Sequence, residues 1–413
     1  MDQCVLQGQR AFVGKVNMDQ YSAPDYTETT EGSLRDTERF IEYCKALPAS
    51  ARAIVQPVIT PRFIPTCSPT LLRGLGDLAK KHDLWIQSHA SESSDQVAFV
   101  QSLLPDVGAA PEGSKGADAQ GLMAGRCAGI FHHFGLLSDK CMMAHGTFLH
   151  PAEWNVFRER GVSLAHCPLS NSFCSDRYLK LKPLVNNGNK VGLGSDVAGG
   201  YALSILHGVR QAVVTSKFFT ADVQAHAEEV VHVGSNGASP SEGLAGDVSA
   251  PPRPLSHSAK LAQQARAAAK DNTVNPSTLS YADAFWLATS GGAEAINMKH
   301  ELGQFKKGYL FDVQRIDVAP LDGDGEALAT QLHLFPSDSL ADVFQKFVHL
   351  GDDRHVAEVF VHGRKVKGKG VCASASAAVA AAPAVNAVMQ QELIKNAQAS
   401  AEAGMEVAAS ART

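Results

Sequence analysis

Residues 84–92 read LWIQSHASE, and this run sets the fold of the chain. Leu84–His89 is an apolar stretch of strand length ending on His89, and Glu92 follows three residues later. Two later segments have the same shape. Cys141–His145 (CMMAH) ends on His145 with Gly146 after it, and Val191–Asp196 (VGLGSD) ends on Asp196 among glycines. Barrel enzymes build their sites at the C-terminal ends of parallel strands. Three strand ends carrying such side chains therefore predict one shared site.

Ala11–Met18, Ala53–Thr60 and Ser163–Cys167 complete a set of six predicted strands. Between strands lie amphipathic stretches, Thr37–Ala46, Thr70–Lys81, Asp95–Leu103, Pro151–Arg160 and Arg177–Asn186. Strand and helix in alternation predict an α/β fold with a parallel sheet and crossover helices. Six strands are two short of a (β/α)8 TIM-type barrel. The barrel is assigned to residues 1–221. Residues 222–275 are rich in Ala, Ser, Gly and Pro and read as a low-complexity insertion with too little apolar content to order. Residues 276–370 read as a helix, YADAFWLATSGGAEAI, then a small β domain with strands Leu310–Ile316 and Val356–Val361 and a turn at His362-Gly363. Residues 371–413 read as an Ala-rich tail.

The 413 residues are 45% hydrophobic, ample for a buried core. A net charge of −5 from 37 basic and 42 acidic residues argues against a nucleic-acid partner. No stretch approaches the ~20 apolar residues of a membrane span. The opening MDQCVLQGQRAFVGKVNMDQ lacks the basic start and apolar core of a signal peptide. The eight cysteines form no CxxC pair and read as reduced thiols, so a cytoplasmic location is expected and a cysteine-built zinc site is not.

A histidine that binds metal beside a glutamate that moves protons is what metal-assisted hydrolysis needs. His89 and Glu92 offer that pair, although His-x-x-Glu alone is a common spacing. The order of strand-end His89, strand-end His145 and then Asp196 resembles the amidohydrolase superfamily. PRF (61–63), IQSHASE (86–92), AHG (144–146), AHCP (165–168), GLGSDVAGG (192–200) and QKFVHLGDDR (345–354) together narrow the resemblance to the guanine deaminases, from about Gln9 to about Val366.

That resemblance implies zinc-dependent hydrolysis of guanine to xanthine and ammonia in purine catabolism, by a homodimer with one Zn2+ per subunit. It assigns His89 and Asp196 as metal ligands, with Asp196 also taking a proton from the attacking water. It makes Glu92 the general acid and base, and gives His145 a hydrogen bond near that water. Arg62 and Phe63 become substrate-binding residues beside His89, Glu92 and Asp196. Their chemistry suits the role: paired guanidinium donors match a purine carbonyl, and a phenyl face matches a purine ring.

One part of the family pattern is missing. The family also holds zinc through a His-x-His pair at the end of its first barrel strand, and no His-x-His occurs in this sequence. His132 and His133 are adjacent, so on a strand they would face opposite ways. The chain opens in what resembles the third barrel strand. The expectation is a truncated barrel, with its first two strands and half of its small β domain absent and strand edges open at Ala11–Met18 and Val191–Asp196. Such a chain should hold zinc weakly and turn over little. Leu169 stands where the resemblance leads one to expect Asn. The other readings are hydrolysis of a different heterocycle and a non-catalytic protein that binds a purine or a partner.

Overall fold

Short apolar segments, most of them followed by a capped helix, build one parallel sheet backed by helices. The structure is a computed structural model and describes residues 1–109, 123–175, 177–219, 278–319 and 332–368. The predicted 222–275 insertion and 371–413 tail lie outside the described residues. The strands are β1 (Ala11–Val13), β2 (Val16–Asn17), β3 (Val55–Pro61), β4 (Trp85–Ala90), β5 (Cys141–His145), β6 (Ser163–His166) and β7 (Lys190–Leu193). They pair in the order β1-β3-β4-β5-β6-β7, with β2 also on β3, and every pairing is parallel. This is an incomplete barrel of the expected type.

Helix boundaries follow local chemistry. The helices of this half include α1 (Asp2–Gln7), α2 (Thr30–Ala46), α3 (Ala49–Arg52), α4 (Pro69–His82), α5 (Ser94–Leu103), α6 (Cys127–His133), α7 (Pro151–Arg160), α8 (Pro168–Cys174) and α9 (Leu181–Asn186), and residues 205–219 are helical as well. The Ser68 hydroxyl accepts from the Leu71 N–H at the start of α4, and Pro69 occupies the first turn, where its missing N–H costs nothing. His150 and Glu153 form a capping box on α7. Along α4, Leu71, Leu72, Leu75 and Ala79 are buried, which is the helical spacing of one apolar face. β4 alternates: Ile86, Ser88 and Ala90 are buried, while Trp85, Gln87 and His89 on the other face are half-buried.

Several boundaries differ from the sequence-based expectation, among them α2, which starts at Thr30 rather than Thr37. Ala11–Met18 is two strands broken at Gly14-Lys15, where the backbones come close: a Cβ on Gly14 would lie 1.8 Å from Thr60 Oγ1. The last strand ends at Leu193, so Asp196 sits in the loop beyond it. Of Arg177–Asn186, only Leu181–Asn186 is helical. The single helix expected after residue 281 is two, Tyr281–Ala288 and Ser290–Ala295, broken at Thr289. There Gly291 packs on Trp286, and a Cβ would meet the indole ring at 2.7 Å. The second of these helices covers β7, where Gly192 and Gly292 let the two backbones approach.

The small β domain is an antiparallel sheet of β8 (Val313–Ile316), β9 (Val356–Val361) and β10 (Arg364–Lys367). β8 is shorter than predicted and β10 was not predicted. The turn at His362-Gly363 is as expected, with φ of 52° and 75°, as a two-residue hairpin of the I′ kind requires. Arg10 ties this sheet to the parallel one through a forked pair to Asp312, at 2.6 and 3.1 Å.

Asp312 also accepts the His362 N–H at 2.7 Å. Burial raises its carboxyl, but Arg10 and that N–H outweigh it and hold the group below the usual carboxylate range. A depressed folded value means stability that is present above the unfolded value, about 4, and is lost as pH falls through the folded one. Asp312→Ala should therefore cost about 1–3 kcal/mol at neutral pH, and the penalty should be smaller at an acid pH below the unfolded carboxylate range. Urea melts of both proteins at the two pH values check this; a penalty independent of pH would refute it.

Candidate metal and catalytic site

The strand ends bring His89, His145 and Asp196 together. One potential ligand atom from each lies within 4.8 Å of the others, and this is the one such group of three among the described residues. His89 comes from the end of β4 and His145 from the end of β5, and their rings stack with centroids 5.3 Å apart. Asp196 reaches them from the loop after β7. Glu92, in the loop after β4, lies with Oε2 3.7 Å from His145 Nε2. Two imidazoles and a carboxylate are a donor set that fits a divalent metal such as zinc.

Backbone conformation aims these groups. In β5, Cys141 and Met143 are buried on the helix-covered side, and strict alternation would put His145 there too. His145 instead has φ of 70°. That left-handed turn breaks the alternation and sets its ring on His89. Asp196 has φ of 49°, and so does Ser91, just before Glu92. Each left-handed non-glycine residue costs on the order of 1–3 kcal/mol, held in place by its surroundings.

The surroundings are specific. His89 Nδ1 lies 2.6 Å from the Arg62 carbonyl oxygen, which also accepts the His89 backbone N–H at 3.2 Å. Arg62 is available for this because the pairing slips: Ile59 faces Ile86, but Phe63 faces His89, four residues against three. The extra residue acts as a bulge. His145 Nδ1 lies 2.9 Å from Asn171 Oδ1. The Glu92 carbonyl accepts from Thr147 Oγ1 at 2.6 Å and Ser175 Oγ at 2.7 Å, and the Glu92 N–H donates to Gln96 Oε1 at 2.6 Å. Burial pushes the His89 imidazole below its usual range, which favours the neutral ring a metal needs.

Arg62 and Phe63 stand at the end of β3 next to His89. The guanidinium lies over the Phe63 ring at 5.5 Å and 3.3 Å from Met18 Sδ. Arg62 is exposed and Phe63 half-buried. His132 and His133 are on α6 rather than on a strand, and His132 contacts Arg160. His166 ends β6 fully buried, and burial followed by the proximity of His145 pushes it down to about 3. It is a neutral packing histidine. The sequence reading missed Asn171 and the Arg62 carbonyl. A signal for Asn171 existed in its position three residues after AHCP; none exists for a backbone oxygen.

The sequence matches the Amidohydrolase family over residues 1–250 and 231–366. The chain belongs to this family. It is 35% identical over 364 residues to guanine deaminase of Rattus norvegicus, and equally so to guanine deaminase of Homo sapiens, covering 87% of this chain and 63% of each relative. The chain thus spans a little under two thirds of the curated relatives it matches. Its fold is similar to the crystal structure of guanine deaminase from C. acetobutylicum with bound guanine in the active site: TM-score 0.62, 28% identity, 88% of this chain and 67% of that one. Among the described residues, no helix is long and apolar enough to cross a membrane.

Within the Asp196 loop, the Gly200 N–H donates to the Asp196 carbonyl, and a Cβ on Gly200 would lie 1.9 Å from the Ser195 carbonyl oxygen. Gly200→Ala must therefore move the loop. It should lower affinity for a divalent metal about 10–100-fold, the range typical of disturbing the support of a ligand, while the melting temperature changes by only a few degrees. Cobalt titration with a parallel thermal melt measures both, and unchanged affinity would contradict the role given to this loop.

Proposed function

We propose that this chain carries the catalytic half of a guanine deaminase, hydrolysing guanine to xanthine and ammonia. The observation behind this reading is the convergence of His89, His145 and Asp196 donors within 4.8 Å, with Glu92 beside them. The 35% identity to guanine deaminases supports the choice of substrate. One zinc ion is assigned to His89, Asp196 and, as a third donor, His145, to which the sequence reading gave only a contact to water. When bound, zinc acts as a Lewis acid and brings the pKa of water from ~15.7 toward ~7.

The chain's own residues do the rest. The oxygen of water bonds to guanine C2, and the C2–N bond to the exocyclic amine breaks. Asp196 accepts a proton from the water through its carboxylate. Glu92 relays that proton from Asp196 to a ring nitrogen as the tetrahedral centre forms, then carries the proton of the new C2 hydroxyl to the amine, which leaves as ammonia as the C2=O bond forms. Its anchored backbone keeps that side chain on the purine side of the site. His145, through Nε2, helps hold the metal to which the water binds. Arg62 offers paired donors to the purine carbonyl and Phe63 a flat face to the ring. The seven described cysteines are all free, which suits a reducing cytoplasm. A homodimer in that compartment and a place in purine catabolism complete the reading.

The test is to supply the purified, zinc-loaded chain with guanine, adenine and a pterin and to follow ammonia release and xanthine formation. Guanine should be consumed first, and turnover should vanish on treatment with a chelator and return with zinc. Preference for another heterocycle would overturn the substrate, and zinc-loaded protein inert on all three would overturn the activity. In a version that also carries the His-x-His pair of the family's first barrel strand, Glu92→Gln should keep zinc and guanine binding while cutting turnover by about 10²-fold or more, because glutamine can hydrogen-bond but cannot transfer a proton. Loss of zinc in that variant would make Glu92 structural instead.

A further inference from the structure

His145 has two ring nitrogens with different neighbours. Nδ1 lies 2.9 Å from Asn171 Oδ1 and Nε2 lies 3.7 Å from Glu92 Oε2. Which nitrogen carries the proton decides what the ring can do. With the proton on Nδ1, the lone pair of Nε2 faces Glu92 and the donor cluster. With the proton on Nε2, no lone pair points there, and the ring can neither bind metal nor accept from water.

An amide oxygen only accepts. A contact to Asn171 Oδ1 therefore puts the proton on Nδ1. The main chain of this residue is fixed: Asn171 is 2% exposed, in α8, with its N–H on the Cys167 carbonyl at 2.9 Å and its carbonyl on the Ser175 N–H at 3.2 Å. The stacked partner, His89, has the same arrangement, with Nδ1 2.6 Å from the Arg62 carbonyl. Both imidazoles are thus tied at Nδ1 to an amide-type oxygen, one from the main chain and one from a side chain.

We propose that Asn171 is a positioning residue: its amide oxygen holds His145 as the Nδ1–H tautomer and so presents the Nε2 lone pair to the metal. The metal is that of the function proposed above, and the tautomer itself is measurable without it. In metal sites generally, the second nitrogen of a ligating histidine is held by an oxygen acceptor, which fixes both tautomer and ring orientation.

The experiment uses the full chain, metal-free and labelled with 15N-histidine, at about pH 8, above the usual imidazole range. Long-range proton–nitrogen spectra read the tautomer, with His145 assigned from the signals lost in His145→Gln. The wild type should carry its proton on Nδ1. Asn171→Leu, branched alike but without an acceptor, should give a mixture of tautomers and bind cobalt about 10–100-fold more weakly. Asn171→Asp keeps an acceptor and should restore both. A wild-type proton on Nε2, or Asn171→Leu with tautomer and affinity unchanged, overturns the proposal. If Asn171→Leu fails to fold, the wild-type and Asn171→Asp spectra decide by the same criterion. A wild type that binds no cobalt yet shows the Nδ1–H tautomer would defeat the metal reading while upholding the role of Asn171.

Discussion

The parallel register between β4 and β5 governs the site. It sets His89 opposite Ala144 and Ala90 opposite His145, so the two histidines are one step out of phase and by pleat alone would face opposite sides of the sheet. A single left-handed residue resolves this. Its φ of 70° turns His145 back over His89, and the contacts made by its two ring nitrogens follow from that placement. Asn171 can reach Nδ1, Glu92 can approach Nε2, and the Asp196 loop closes on the pair from β7. Histidine is among the residues that tolerate this conformation best, though it still carries a cost that the packed sheet and α8 must offset.

The contacts that hold the site are mostly between neighbouring loops. Thr147 and Ser175, from the loops after β5 and α8, both donate to the Glu92 carbonyl. Arg62, at the bulged end of β3, holds His89. The strand ends thus hold one another's side chains in place, and no single loop carries the geometry alone. This is also why the glycines around Asp196 are confined: a Cβ on Gly199 would lie 3.0 Å from Asp196 Oδ2, against the carboxylate itself.

Much of this was legible in the sequence because the strands end where their apolar runs end. His89 and His145 close β4 and β5 as the runs predicted, and the six-strand set appears with one strand split. Asp196 was expected on the strand itself, since VGLG continues the apolar pattern through glycines, yet the chain leaves the sheet after Leu193. The third strand of the small sheet, RKVK, was invisible because a short, charged, edge segment lacks an apolar alternation. The bulge at Arg62 was invisible for a different reason. Its guanidinium invited a substrate role, while the atom that fixes His89 is a main-chain oxygen that any residue would supply.

The Arg10–Asp312 fork joins residues 302 apart in sequence. Loop closure over such a span must wait for the chain between to exist. At a synthesis rate of about 5–20 residues per second, Arg10 emerges roughly 15–60 s before its partner. During that interval the parallel sheet stands without this tie, and the small β domain can dock through it only once Asp312 has been made.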